Sequence, residues 1–321
     1  MATFLCSALG LAALLQAPAA QAPATGTAAD SLAALREHLV RDSTDGHAWL
    51  LLGRVYLQRA ADAHQPPHHP LEDSAQVRAL LDTADDALQR AGQLLAPSGS
   101  TPDGDSGRVL RVAAWSARSR LAWEERGINV GPQEWGPVPL DLKMPPVLDE
   151  LGENLLRACP MWGVLLTAND VDSDAAWYMR FARGLRPDLL TVPLAMWRTD
   201  SVLRGRIAAD LKLPRHRDPD ATLAELAKRR PVCVTVTLER PPGRIGWSRR
   251  PLVWVAGPHL KDDRVPPRDF VFAALRLALD DNDSWAPPAL ALYASAARAT
   301  PALCEALKTF RLTNEISSCR R

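Results

Sequence analysis

The residues best suited to do chemistry stand together in Asn169-Asp170-Val171-Asp172-Ser173-Asp174. Asp170, Asp172 and Asp174 alternate at a spacing of two, a pattern that can set carboxylates around one hard cation. They are read as metal ligands for a divalent cation, Ca²⁺ or Mg²⁺, both of which take oxygen donors from loops of this kind. Asn169 and Trp177 join the three aspartates as ligand-binding candidates. The glycine and distal glutamate of a full calcium loop are missing. The competing reading is structural, because Asp and Ser near a helix start cap it and complement its dipole.

Other groups are weaker. His64, His68 and His69 fall in a Pro-rich stretch and read as a solvated loop, since zinc needs a fourth ligand and a firm geometry that nothing adjacent in sequence offers. Trp162, Trp177 and Trp197 lie on or beside the acidic stretch, and Trp247 lies in a loop. Exposed aromatic faces stack on sugars, which makes a glycan one partner class; as core anchors the same residues need no ligand. Arg240, Arg244, Arg249 and Arg250 form a basic loop. No nucleophile elbow, zincin, phosphate-loop or dinucleotide motif occurs. No general base accompanies the acidic loop in sequence, although His216 or His259 could reach it in space, and no catalytic residue is assigned. With 38 basic against 37 acidic residues, no global field favours nucleic acid.

The elements that position the acidic stretch read as a βαβ unit from Met161 to Trp197. The apolar run Gly163 to Ala168 predicts a strand buried on both faces. A helix follows, with Trp177, Phe181 and Leu185 on one side, Gly184 as a left-handed stop and Pro187 barring continuation. Leu189 to Leu194 predicts the second strand, in which Pro193 argues against a central position. The two strands should be parallel, with the acidic loop at their carboxyl ends where α/β sheets bind ligands. Further on, Pro231 to Leu238 and Leu252 to Ala256 predict strands joined too tightly for a helical crossover, hence antiparallel. Asp200 or Thr199 caps the next helix, Asp220 caps Leu223 to Lys228, and Phe270–Leu279 and Ala289–Phe310 close the chain as helices before a frayed tail.

The first half is helical. Ser31 to Val40 predicts a helix capped by Asp30. Trp49, Leu52, Gly53 and Tyr56, then Ala84, Leu88, Ala91 and Pro97, resemble the two helices of a tetratricopeptide repeat, separated here by an insertion holding Gln65 to Pro70. Such a hairpin cannot bury its own face, so flanking helices must complete it, and the resemblance implies a protein or peptide partner. Pro97 to Gly107 reads as a loop and Val109 to Glu125 as an amphipathic helix.

The second half carries its own resemblance. Gly163 to Asp174, the pair Trp177-Tyr178, the run Leu185-Arg186-Pro187-Asp188, the strand entry Arg230-Pro231-Val232 and Leu252-Val253-Trp254 are similar to the soluble C-terminal domain of bacterial glycosyltransferase-like multi-span membrane proteins. The likeness covers about Pro146 to Pro258, with the family's acid-loop glycine replaced. Any glycosyl transfer belongs to the membrane half, so it is not carried over.

Phe4 to Leu15 is apolar and is followed by A-x-A sites, which reads as a secretory signal peptide, with a disordered Ala/Pro-rich leader as the alternative. Export places the chain in the periplasm or outside the cell, without a transmembrane segment once the leader is removed; an uncleaved leader would leave it cytoplasmic. Cys159 and Cys233 read as buried free thiols, whereas Cys304 and Cys319 could bridge in an oxidising compartment. The expected organisation is a leader over 1–24, a tetratricopeptide-like helical module over 30–126, a linker over 127–145, an α/β domain over 146–312 and a tail over 313–321. The fold class is α/β with an N-terminal all-α module: helical hairpins, then a small mostly parallel sheet with flanking helices. The expected function is binding or scaffolding at the cell envelope without catalysis; the alternative is a metal-assisted hydrolase or glycan-acting protein using residues 169–174.

Overall fold

In the computed structural model the described residues are 28–64, 70–131, 135–214, 216–238, 240–258 and 265–320. The leader, His68, His69 and His259 lie outside them. Among the described residues, no helix is long and apolar enough to cross a membrane.

Four helices build the first half: α1 (Ala28–Arg41), α2 (Gly46–Ala63), α3 (Pro70–Leu95) and α4 (Pro102–Arg126). Asp45 caps α2 by accepting from the His47 and Ala48 N–H groups, while Asp30, expected as a cap, lies inside α1. The small residues singled out from sequence sit where α2 meets α3. Gly53 faces Leu88, and a Cβ added there would stand 2.5 Å from the Leu88 Cγ. Ala84 and Ala91 are fully buried. Much of the insertion is helical and extends α3 toward its N-terminus. The stretch read as a loop up to Gly107 is also helical from Pro102. Thr101 caps α4 through the Gly104 N–H, Pro102 takes the first turn, and a side chain at Gly104 would meet the Ala96 Cβ at 2.5 Å.

α5 (Pro146–Ala158) leads into the sheet: β1 (Val164–Thr167), α6 (Asp170–Trp177) continued by a π-helical turn over Tyr178–Ala182, β2 (Leu190–Pro193), α7 (Leu194–Thr199), α8 (Ser201–Asp210), α9 (Pro219–Arg229), β3 (Val232–Thr235), β4 (Ser248–Arg249) and β5 (Val253–Ala256). The strand order is β2-β1-β3-β5-β4. β1 pairs parallel with β2 and β3, while β5 pairs antiparallel with β3 and β4. The sheet is therefore evenly mixed, where a mostly parallel one was expected. β4 comes from the loop after β3, which its exposed residues gave no pattern to reveal. Pro193 ends an edge strand, the position proline tolerates. Gly184 takes φ +71°, as a left-handed stop requires.

Asp218, rather than Asp220, caps α9, because Pro219 opens the helix and the Asp218 carboxylate reaches the Asp220 and Ala221 N–H groups. The last helical run is broken at Thr300-Pro301 into α11 (Ala286–Ala299) and α12 (Leu303–Thr309), preceded by α10 (Ala273–Asp280). The tail is held down: Leu312 and Ile316 are buried, and Cys319 is bonded to Cys304. Cys159 and Cys233 also form a disulfide, which corrects the free-thiol expectation; the end of α5 and the middle of β3 bring their Cα atoms to 5.9 Å.

One core runs from α4 to the C-terminus. The presumed linker contributes Val130, Trp135, Leu142 and Met144 to it. Trp123, Trp135 and Phe181 meet with ring centroids 5.3–5.8 Å apart. On α4, Ser119 accepts a hydrogen bond from the Trp177 indole of α6 at 2.8 Å. α4 is thus shared by the helical module and the α/β part.

Candidate ligand-binding cleft

Where α2, α3 and α4 lie over the carboxyl ends of β1 and β2 they enclose a cleft of about 480 Å³. Its floor is Thr167, Thr191 and Pro193 from the strands and Asp170, Ser173 and Asp174 from α6. Leu57, Val77, Leu81 and Leu110 make an apolar roof, with Arg54 and Arg120 on the helical side. An apolar chamber with a few convergent polar groups is the usual character of a small-molecule site. A larger groove of about 680 Å³ runs along α8. Its buried arginine, Arg204, is committed to the carbonyls of Trp197, Arg198 and Arg217, so the smaller cleft is the better candidate.

The residues of the acidic stretch divide into three roles. Asn169 caps α6, its side-chain oxygen accepting from the Asp172 N–H at 2.9 Å. Asp172 accepts from the Thr237 hydroxyl, and Thr235 takes the Ala168 N–H, so the crevice between β1 and β3 is closed by hydrogen bonds. Burial pushes the Asp172 carboxyl up to about 6, against the pull of those hydrogen bonds. Asp170 and Asp174, one helical turn apart, face the cleft instead. The three aspartates accordingly do not assemble into one Ca²⁺ or Mg²⁺ site: only alternate carboxylates could share an ion in an extended loop, whereas here the residues are helical and fan out around α6.

Asp174 is the unusual member. It is 9% exposed, and no side-chain hydrogen bond to it exists among the described residues. Burial, reinforced by Asp170 beside it, holds its carboxyl well above the ordinary range. Thr191, 4% exposed in the same floor, likewise keeps a hydroxyl without a partner. Next to them the Thr167 and Ser173 hydroxyls bond each other at 2.6 Å. Trp177 is buried and lines the cleft, with its N–H already given to Ser119; Trp197 is wholly buried, and Trp162 is 62% exposed away from the cleft lining.

Sequence reasoning missed a second group at the edge of this cleft. His64, at the C-terminus of α2, Glu124, in the last turn of α4, and Asp200, the N-cap of α8, converge with ligand-type atoms within 4.8 Å of one another. His64 Nε2 stands 2.6 Å from Glu124 Oε2. The Glu124 and Asp200 carboxyls lie close enough for each to alter the other's proton affinity. Burial raises Glu124; burial and the Glu124 carboxyl together push Asp200 up to about 6. Asp200 was legible as a cap, but nothing local in the sequence links it to the other two. His216, one of the two histidines considered as a base, lines the α8 groove and not the cleft.

The Leu185-Arg186-Pro187-Asp188 run is structural. Arg186 donates to the carbonyls of Leu156, Cys159 and Pro160 and pairs with Asp188, which accepts from the Trp162 N–H. These bonds fix the entry to β1 from behind the site. No protein-family model, curated protein or solved structure matches this chain.

Proposed function

We propose that this is a non-catalytic binding protein whose cleft takes a small organic molecule with an apolar body and an amino head, seated on Asp174. The observation that supports it is the Asp174 side chain, buried in the cleft floor with no protein partner. A ligand donor in the cleft would give this carboxyl the partner that the protein does not supply. An amine would do more, taking the Asp174 proton and leaving an ion pair shielded from water. Thr191 offers a second contact, and the roof of Leu57, Val77 and Leu81 suits the apolar body.

In this reading α2 and α3 are a tetratricopeptide-like hairpin used as the cleft's roof, and its outer face remains the place for a protein partner at the cell envelope. Export is supported by the two disulfides, Cys159–Cys233 and Cys304–Cys319, which persist in oxidising compartments. A second reading has its own observation. A carboxyl held above its ordinary range one turn from a second carboxylate, Asp170, is a pairing used in general acid–base catalysis, and a hydrolase acting on a glycan is the alternative.

The test uses the full chain and a panel of hexylamine, tryptamine and glucosamine against hexanol and glucose. Thermal shift and calorimetry should find an amine that binds saturably, with Asp174→Asn abolishing the response. No binding by any amine, or equal binding by Asp174→Asn, overturns the proposal.

A further inference from the structure

We infer that His64, Glu124 and Asp200 form a site for a first-row transition metal, Zn²⁺ or Co²⁺ in chemical class, which pins the helical module to the α/β part. The donor set is one imidazole and two carboxylates, which suits such ions better than Ca²⁺ or Mg²⁺, whose sites are built from oxygens. A neutral imidazole with two carboxylates cancels the charge of a divalent ion. That matters because all three side chains are buried, His64 at 9%, Glu124 at 2% and Asp200 at 6% exposed.

The spacing suits a metal. Zinc holds nitrogen and oxygen ligands at about 2.0–2.2 Å, so tetrahedral ligand atoms stand roughly 3.3–3.5 Å from one another. The 2.6 Å between His64 Nε2 and Glu124 Oε2 is a hydrogen-bond distance, and the widest separation in the group is bounded by 4.8 Å. Loading therefore asks for side-chain movements of about 1 Å.

Each ligand is also oriented from behind, as metal ligands usually are. Asp200 Oδ1 accepts from the Val202 and Leu203 N–H groups, which leaves Oδ2 for the site. Arg120 Nε stands 3.3 Å from Glu124 Oε1, so Oε2 is the oxygen turned to His64. The Arg120 charge opposes a bare dication, but two carboxylates outweigh it. His64 ends α2, its N–H bonded to the Ala60 and Ala61 carbonyls. Three protein ligands leave one tetrahedral position, and because His64 lines the cleft, water or a cleft ligand can fill it.

The experiment titrates the full chain, stripped with chelator, with ZnCl₂ and CoCl₂ by calorimetry, and measures metal retained after gel filtration. One equivalent of zinc should bind and raise the Tm, and cobalt should give the visible absorption of a low-coordinate site. Glu124→Gln and Asp200→Asn should each weaken binding on the order of 100-fold. Asp200→Asn is decisive if Glu124→Gln folds poorly, since asparagine preserves the cap. Asp174→Asn should keep full zinc binding while losing any amine response, which separates this inference from the cleft proposal. Absence of saturable binding, or binding that survives Asp200→Asn and Glu124→Gln undiminished, overturns it.

Discussion

Gly152 is where the site-bearing helix is seated, and replacing it by alanine tests the packing directly. A Cβ at this position of α5 would lie 2.3 Å from the Ala175 carbonyl oxygen, 2.7 Å from its carbon and 2.8 Å from Met179 Cγ. Met179 can turn away, but the Ala175 carbonyl is backbone inside α6. Ordinary carbon–oxygen contact is about 3.3 Å, so the helices must part by about 1 Å. Overpacking a well-filled core costs about 1–3 kcal/mol, and more when the obstacle is rigid, so Gly152→Ala should lose about 2–4 kcal/mol. Gly92 supplies the control: it lies in helix α3 with nothing within 4 Å of its would-be Cβ. There alanine should gain about 0.5–1 kcal/mol from helix propensity alone. Urea unfolding followed by circular dichroism measures both. Because α6 carries Asp170, Ser173 and Asp174, the α5 variant should also weaken cleft binding. Finding Gly152→Ala within about 0.5 kcal/mol of the parent, alongside a normal Gly92→Ala gain, would refute the close approach of α5 and α6.

Arg186→Lys keeps the charge but cannot reach three carbonyls and Asp188 together, so it should cost about 2–3 kcal/mol in the same urea assay. Asp149 is partly buried with an unpartnered oxygen, and burial outweighs Arg183 to push it up to about 7. Its folded state binds the proton more tightly than the unfolded state, so its contribution to stability falls as pH rises from about 4 to 7. Asp149→Asn should then gain about 1–2 kcal/mol at pH 8, nothing at pH 3.5, and flatten the stability curve between them. Cys159→Ala with Cys233→Ala should lose about 2–4 kcal/mol, read as a lower Tm under non-reducing conditions.

Much of the architecture is legible in the residues because it is locally encoded. The continuous apolar runs at Val164–Thr167 and Leu190–Pro193, with Gly184 stopping the helix between them, are enough to place a βαβ unit. Asp200 announces its helix by type and position, while Asn169, which stood out as a possible ligand, proves to be a cap. What is not legible rests on contacts between distant segments. Pro102 to Gly107 has the composition of a loop, and becomes helix because Gly104 fits against Ala96 and Thr101 caps it. Cys159 and Cys233 each look like an ordinary buried thiol until α5 and β3 are placed side by side. Alternation of Asp170, Asp172 and Asp174 suggests a shared ion only while the segment is extended; once helical, Asp172 turns toward Thr237 and its neighbours toward the cleft. His64, Glu124 and Asp200 belong to three separate helices, so no spacing in sequence could have joined them.

Asp174 lines the cleft floor, and burial with Asp170 beside it holds its carboxyl well above the ordinary range. The direct measurement is the infrared carbonyl stretch of protonated carboxyls at pH 7, taken as the difference between the full chain and Asp174→Asn. Asp174 should give a protonated-acid band that the variant lacks and that disappears when a cleft-binding amine is added. A difference spectrum showing only an ionised carboxylate at Asp174 would contradict it.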